Sequence, residues 1–323
     1  MDKETDAIMQ DALKEIKPLR IGTRGSPLAL YQANLVQRLL CESTGRTPEA
    51  FPIEVLQTSG DVIQGDLKDF GGKGLFTKEL ETALLEGRIA IAVHSMKDVA
   101  TIGHDDLIIP AVLERADVRD AFISRKYSSL DDLPKGALIG SASIRRRAQL
   151  AALKPDLHFC LLRGNVGTRL RKLEEGVCDA TMLACAGLRR LDADHEITQA
   201  IEVDVMLPAP AQGTIGIEVR KDNQAMRELL APLNHGVTQL AITAERAFLK
   251  ALDGSCRTPI AALAQIEGGQ MRFRGEVIAK DGSLHFARDV SQPCADINQA
   301  YDLGYSLGQA VRDEIGDKII FDD

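Results

Sequence analysis

The stretch RIAIAVHS, residues 88–95, holds an unbroken apolar run from Ile89 to Val93 and favours the extended backbone. A run this short and this uniformly apolar reads as a strand buried on both faces, which requires a sheet with helices on each side. The neighbouring residues supply such helices. LRIGTRG (19–25) reads as a strand leaving into a glycine loop. Ser26 as N-cap and Pro27 at the first helical position then open a helix, with Leu28, Tyr31, Leu35 and Leu39 on one face. FPIEVLQTSGD (51–61) reads as another strand, and GGKGLFTKELETALLEG (71–87) as a glycine loop feeding a helix that stops at Gly87.

A second block repeats the alternation. DAFISR (120–125), GALIGSAS (136–143), LHFCLLRG (157–164) and CDATMLA (178–184) read as strands, with helices beginning near Ser143, Asn165 and Ala186. LPAPAQGTIGIEVR (207–220) adds a strand able to return the chain to the first block, and a long helix follows within 234–254. The pattern then changes. AALAQIEGG, MRFRGEVIAKDG and LHFARDVS predict a three-stranded antiparallel meander with turns at Gly268-Gly269 and Asp281-Gly282, followed by a helix from Asp296 to Ile315. The expected organisation is an α/β domain of residues 1–114 and 214–234, including an N-terminal extension 1–18. A second α/β domain would span 118–208, and an α+β domain 236–323.

At 323 residues the chain has ample material for several cores. Its net charge of −8 argues against general nucleic-acid affinity, and no apolar run approaches membrane-spanning length. The acidic opening segment lacks an apolar signal core. The six cysteines show neither CxxC spacing nor the density of a disulfide scaffold, so a reducing cytoplasm is the expected setting. No His/Cys/Asp cluster has metal-ligand spacing, and no metal is expected.

Against this acidic background the basic residues are placed selectively. Arg24 follows a strand, Lys97 and Asp98 follow the buried run, Arg145–Arg147 follow IGSAS, Arg163 follows FCLL, and Arg169 opens a helix. Strand ends and helix N-termini are where open α/β sheets bind ligands, and arginine forks there hold carboxylate or phosphate. The pattern points to a polyanionic ligand. Plainer readings exist for each part: Arg145–Arg147 as a solvated helix face, Lys97-Asp98 as a surface ion pair, His94 as a hydrogen-bonded strand-end residue. Lys73 in GGKG lacks the rest of a P-loop. Cys160, Cys178 and Cys185 sit where core packing is expected. Cys256 differs. In GSCRTPI it lies between a glycine turn and a proline, beside Arg257, where its thiolate is favoured as a nucleophile, a redox thiol or an attachment point.

Taken together, GTRGSPLALYQA, GGKGLFTKELE, AVHSMKD, SIRRRAQL, LRGNVGTRL, LPAPAQGTIGIE and GSCRTPI resemble the hydroxymethylbilane synthase (porphobilinogen deaminase) family, in its order and spacing, from about Leu19 to the C-terminus. The resemblance implies two α/β domains like those of periplasmic solute-binding proteins, with the chain crossing over and returning, plus a small α+β domain. It implies a cytoplasmic, monomeric transferase of porphyrin and heme biosynthesis. That enzyme condenses four porphobilinogen molecules into 1-hydroxymethylbilane with release of ammonia, on a dipyrromethane primer. By motif position Cys256 would carry the primer through a thioether, and Asp98 would steer the pyrrole nitrogens and the proton transfers. Lys97, Ser143, Arg145, Arg146, Arg169 and Phe76 would contact the primer. Arg24, Ser26, Gln32, Arg163, Arg169 and Arg190 would contact the substrate, with Lys73, Gln212 and Arg246 in support. The chain departs from some relatives in having Asp69, preceded by Lys68, where a lysine is found, and Arg257-Thr258 after the cysteine. A non-catalytic binding protein for a carboxylate-rich ligand would account for the arginines but not for Cys256. A thiol hydrolase would account for Cys256 but not for a polyanion site.

Overall fold

The computed structural model describes residues 18–57, 77–254, 258–316 and 318. Two five-stranded sheets and one three-stranded sheet carry the fold. The first sheet uses β1 (Ile21–Arg24), β2 (Ile53–Leu56), β3 (Ile91–Ser95), β4 (Leu107–Val112) and β10 (Ile215–Arg220), in the order β2-β1-β3-β10-β4. The second uses β5 (Asp120–Ser124), β6 (Leu138–Gly140), β7 (His158–Cys160), β8 (Ala180–Ala184) and β9 (Gln199–Ile201), in the order β7-β6-β8-β5-β9. In both orders the first three strands are parallel, and the fourth runs antiparallel to its neighbours. That fourth strand, β5 or β10, is the first one laid down after the chain crosses between lobes. The expectation of two α/β lobes with a crossing and a returning chain is therefore met.

Helices α1 (Pro27–Thr44), α2 (Lys78–Leu85), α3 (Ile144–Leu153), α4 (Val166–Glu174), α5 (Cys185–Arg189) and α6 (Gln224–Leu230) accompany these sheets. The predicted Ser26 cap forms, and Ser143 and Asn165, near which helices were expected to begin, cap theirs. The buried face of α1 is rotated from the expected one. Gln32, Ala33, Val36 and Leu40 are buried, Leu35 and Leu39 pack at the margin, and Tyr31 is exposed. Gln32 turns inward to pair with Ser95, so a polar residue occupies part of the stripe that an apolar count misses. Strand β3 is buried at four of its five positions and lies centrally, as its composition demands. Strands β4 and β9 and helix α6 were not anticipated. Pro110 interrupts the β4 signal and is tolerated because β4 is an edge strand, while β9 is only three residues long.

The third unit contains α7 (Gly236–Ala251), the expected meander β11 (Ile260–Glu267), β12 (Gln270–Ile278) and β13 (His285–Pro293), and α8 (Ile297–Ile315). Its core centres on Phe248 and Phe273, both fully buried with ring centroids 5.3 Å apart. Helices α7 and α8 meet backbone to backbone: a Cβ on Gly304 would lie 2.0 Å from the Ala244 carbonyl oxygen.

Glu245, fully buried on α7, ties this unit to both crossovers. Its carboxylate accepts from Arg115 Nη1 and Nη2 at 2.6 and 3.0 Å, from the Ala211 amide at 2.6 Å and from the Ala264 amide at 2.8 Å. Ala211 holds a left-handed φ of 60°. That conformation costs an alanine about 1–2 kcal/mol, and the charge-assisted bond from its amide offsets the cost. Beside it, a Cβ on Gly213 (φ 89°) would lie 2.7 Å from the Ala116 carbonyl oxygen, so the two crossovers touch directly.

Candidate active site

Strand β3 ends in a single 3₁₀ turn, Met96–Asp98, which places Asp98 in the open and leaves Lys97 half-buried. Four elements hold this turn. The Met96 amide donates to the Thr214 carbonyl at 3.0 Å, and Gln32 Nε2 on α1 donates to Ser95 Oγ at 2.8 Å. Beneath it His94 pairs with Glu218 on β10, Nε2 to Oε2 3.0 Å, which makes His94 the hydrogen-bonded strand residue expected. From α7, Arg246 donates to the carbonyl oxygens of Val99 (3.0 Å), Ala100 (2.6 Å) and Met96 (3.4 Å). Burial lowers the Arg246 pKa to about 10, opposed by the nearby Glu218 carboxylate.

In the second lobe α3 presents its first turn to the sheet. Ser143 caps it, accepting from the Arg146 amide. Arg145 and Arg146 are each 5% exposed, so a solvated helix face is ruled out for them. Arg147 lies over the Phe159 ring at 5.6 Å. The two buried guanidinium groups share one carboxylate. Arg145 Nη2 donates to Asp120 Oδ2 and Arg146 Nη2 to Oδ1, both at 2.7 Å. Their Nη1 atoms reach the carbonyls of Leu207 (2.7 Å) and Met182 (2.9 Å) respectively. Burial alone would raise the Asp120 pKa, but the two arginines outweigh it and hold the carboxyl well below its usual range. Gln212, fully buried in the second crossover, adds a bond from Nε2 to Asp120 Oδ1 at 2.9 Å.

Cations gather around this centre among the described residues. Lys97 lies within electrostatic reach of Arg145, Arg146, Asp98 and Asp120, Arg169 lies within reach of Arg146, Arg163 and Asp98, and Glu276 adds a carboxylate beside Arg145. Burial lowers Lys97 to about 8, with Asp98 and Asp120 opposing and Arg146 and Arg145 assisting. Burial likewise lowers Arg169 to about 10, assisted by Arg146 and Arg163 and opposed by Asp98. The Nε atoms of Arg145 and Arg146 are buried donors with no partner among the described residues. A buried donor left unmatched is costly. The gathered cations suit a ligand with several carboxylates.

The remaining predicted residues lie around this centre. Arg24, half-buried, ends β1 beside β3, and the Ser26 hydroxyl accepts from the Ala29 amide. Arg169 Nε donates to the Gly164 carbonyl at 2.8 Å. Arg190 Nη2 donates to the Gly213 carbonyl at 2.6 Å, and burial lowers its pKa. Cys178 and Cys185 are buried thiols pushed up to about 11 by burial, in keeping with packing roles. Cys256, Lys73 and Phe76 lie outside the described residues. Among the described residues no group of His, Cys, Asp and Glu could hold a metal ion, and no helix is long and apolar enough to cross a membrane. Sequence reasoning missed Asp120, Arg115, Glu245, Gln149 and Glu276. Glu245 carried a usable signal, since it lies in register with Ala241, Phe248 and Leu252 on the buried face of α7.

The family model described as "Porphobilinogen deaminase, dipyromethane cofactor binding domain" matches residues 19–228, and its C-terminal domain counterpart matches residues 239–313. A porphobilinogen deaminase of Paracoccus denitrificans is 50% identical over 299 residues, covering 92% of this chain and 93% of the relative. One from Nitrobacter hamburgensis is 48% identical over 299 residues, covering 92% and 94%. Among solved structures, a nutrient binding protein from Burkholderia cenocepacia bound to methionine aligns with a TM-score of 0.41 at 17% identity, covering 66% of this chain and 90% of that one. With both family domains matched and half of the residues shared across almost the full length of a curated relative, the chain belongs to the porphobilinogen deaminase family.

Proposed function

We propose that this chain is a hydroxymethylbilane synthase, a cytoplasmic, monomeric transferase. It joins porphobilinogen units head to tail into 1-hydroxymethylbilane, with loss of ammonia at each condensation. The observation that carries the reading is a cation-rich centre with two orphaned buried guanidinium Nε atoms, set beside an exposed aspartate at the end of a buried strand. Each ring of porphobilinogen and of a dipyrromethane bears an acetate and a propionate, so such ligands supply carboxylates for these cations to hold.

A dipyrromethane thioether-linked to Cys256 fits these residues on that ground. When bound, it supplies the nucleophilic pyrrole carbon on which the chain is extended. Lys97, Arg145 and Arg146 would hold its carboxylates, with Ser143, Arg169 and Phe76 completing the pocket. Arg24, Ser26, Gln32, Arg163, Arg169 and Arg190 would orient the incoming substrate. Lys73, Gln212 and Arg246 would act in support. Asp98 would accept a hydrogen bond from a substrate pyrrole N–H and offset the positive charge left when the aminomethyl nitrogen departs as ammonia. The same carboxylate would take up the proton released when the new C–C bond forms. The reading keeps the three domains at 1–114 with 214–234, 118–208 and 236–323.

Porphobilinogen consumption and ammonia release by wild type and Asp98→Asn test this assignment. The variant should fold and carry primer yet turn over slowly. Normal turnover by Asp98→Asn would remove Asp98 from the mechanism.

A further inference from the structure

The third unit reaches into the arginine centre of the second lobe by one polar path. Glu276 on β12 is 9% exposed, and its Oε1 accepts from Gln149 Nε2 at 2.5 Å. Gln149, 3% exposed, lies one turn after Arg145 on α3, and its Oε1 accepts from Arg145 Nη1 at 2.8 Å. An ionised carboxylate only accepts, so Glu276 obliges the Gln149 amide to present its NH₂ group and leaves the amide oxygen facing Arg145. The Leu207 carbonyl closes the arrangement, accepting from Gln149 Nε2 at 3.0 Å and from Arg145 Nη1 at 2.7 Å. The other Glu276 oxygen pairs with His285 Nε2 at 2.8 Å, and the His285 side chain is half exposed. A continuous path thus runs from the surface of β13 through Glu276, Gln149 and Arg145 to Asp120.

Charge and shape support the same connection. Asp120 offers one negative charge to two buried arginines, and Glu276 adds a second across the interface, favouring charged Arg145. The β12–β13 turn is seated against α3 itself: a Cβ on Gly282 would lie 2.4 Å from the Ala152 amide nitrogen.

We propose that Glu276 is a positioning residue for the primer site. Acting through Gln149, it fixes the orientation of the Arg145 guanidinium against Asp120. This rests on the reading that Arg145 grips the primer.

The test uses full-length chains expressed without porphobilinogen, then incubated with it while primer loading is followed by intact mass. Glu276→Gln should load about tenfold more slowly, the scale of one buried charge-assisted hydrogen bond. Arg274→Gln is the control, because it breaks the Arg274–Asp204 tie between the same two units without touching Arg145. It should load at the wild-type rate even if its melting temperature falls as far. Gln149→Met breaks the path from the other side and should load slowly if Glu276→Gln does not fold. Wild-type loading by both path variants, or equal slowing in Arg274→Gln, would overturn the proposal. Wild-type loading by Arg145→Gln would instead overturn the assignment of Arg145, and the proposal with it.

Discussion

In the first lobe Asp98 lies in an exposed turn at the end of β3, with no arginine fork closed on its carboxylate among the described contacts. In the second lobe Asp120 opens β5, is 1% exposed, and has an arginine on each oxygen. The two sheets share one strand plan, and both aspartates sit beside the crossovers, yet their surroundings give them opposite chemistry. The Asp98 turn is restrained at its backbone by Arg246 and the Thr214 carbonyl and at the preceding Ser95 side chain by Gln32, through groups that leave the carboxylate alone. Asp120 is restrained through its carboxylate. One carboxylate is left exposed, as the proposed catalytic role requires, and the other is used up in orienting two arginines.

Substitution at each aspartate should separate the roles. Asp98→Asn should lower turnover by about 10²–10⁴, the range of a lost general acid–base group, with little change in the urea midpoint. Asp120→Asn should act mainly on stability, by about 3–5 kcal/mol, because it leaves two buried guanidinium groups short of their counter-charge. Urea unfolding reads that loss, and an unchanged midpoint would show that the arginine pair does not depend on Asp120.

Smaller changes probe how the exposed turn is held. Arg246→Met removes three bonds to the backbone carbonyls beside Asp98. Its expected effect is a fall of about tenfold in kcat, on the scale of losing buried charge-assisted bonds, with KM and primer occupancy unchanged. A rise in KM alone would place Arg246 with substrate binding instead. The mildest test is pH. Lys97, lowered to about 8 by burial, is charged below that pH and neutral above it. Primer loading should weaken as pH rises through about 8 in wild type relative to Lys97→Arg, which keeps its charge across that range. Parallel profiles for the two proteins would exclude Lys97 as a carboxylate anchor.

Local signals made much of this legible. The apolar run ending at Ser95 placed the central strand, Ser26, Ser143 and Asn165 placed helix starts, and Gly268-Gly269 and Asp281-Gly282 placed the meander turns. The gathering of Lys97, Arg145, Arg146, Arg163 and Arg169 was also foreseeable, since each follows a strand or opens a helix. Pairing was not legible. Asp120 and Arg145 are 25 residues apart, and Gln149 and Glu276 are 127 apart, so their bonds arise only from how the units pack. For the same reason Arg145–Arg147 could pass for a surface face, although the first two of them are core residues.

The most direct test is the intact mass of the wild-type chain and of Cys256→Ser, each after incubation with porphobilinogen. The account predicts a wild-type excess equal to one dipyrromethane, with Cys256→Ser at its bare sequence mass. A wild-type chain that forms no adduct, or an adduct that persists on Cys256→Ser, would contradict it.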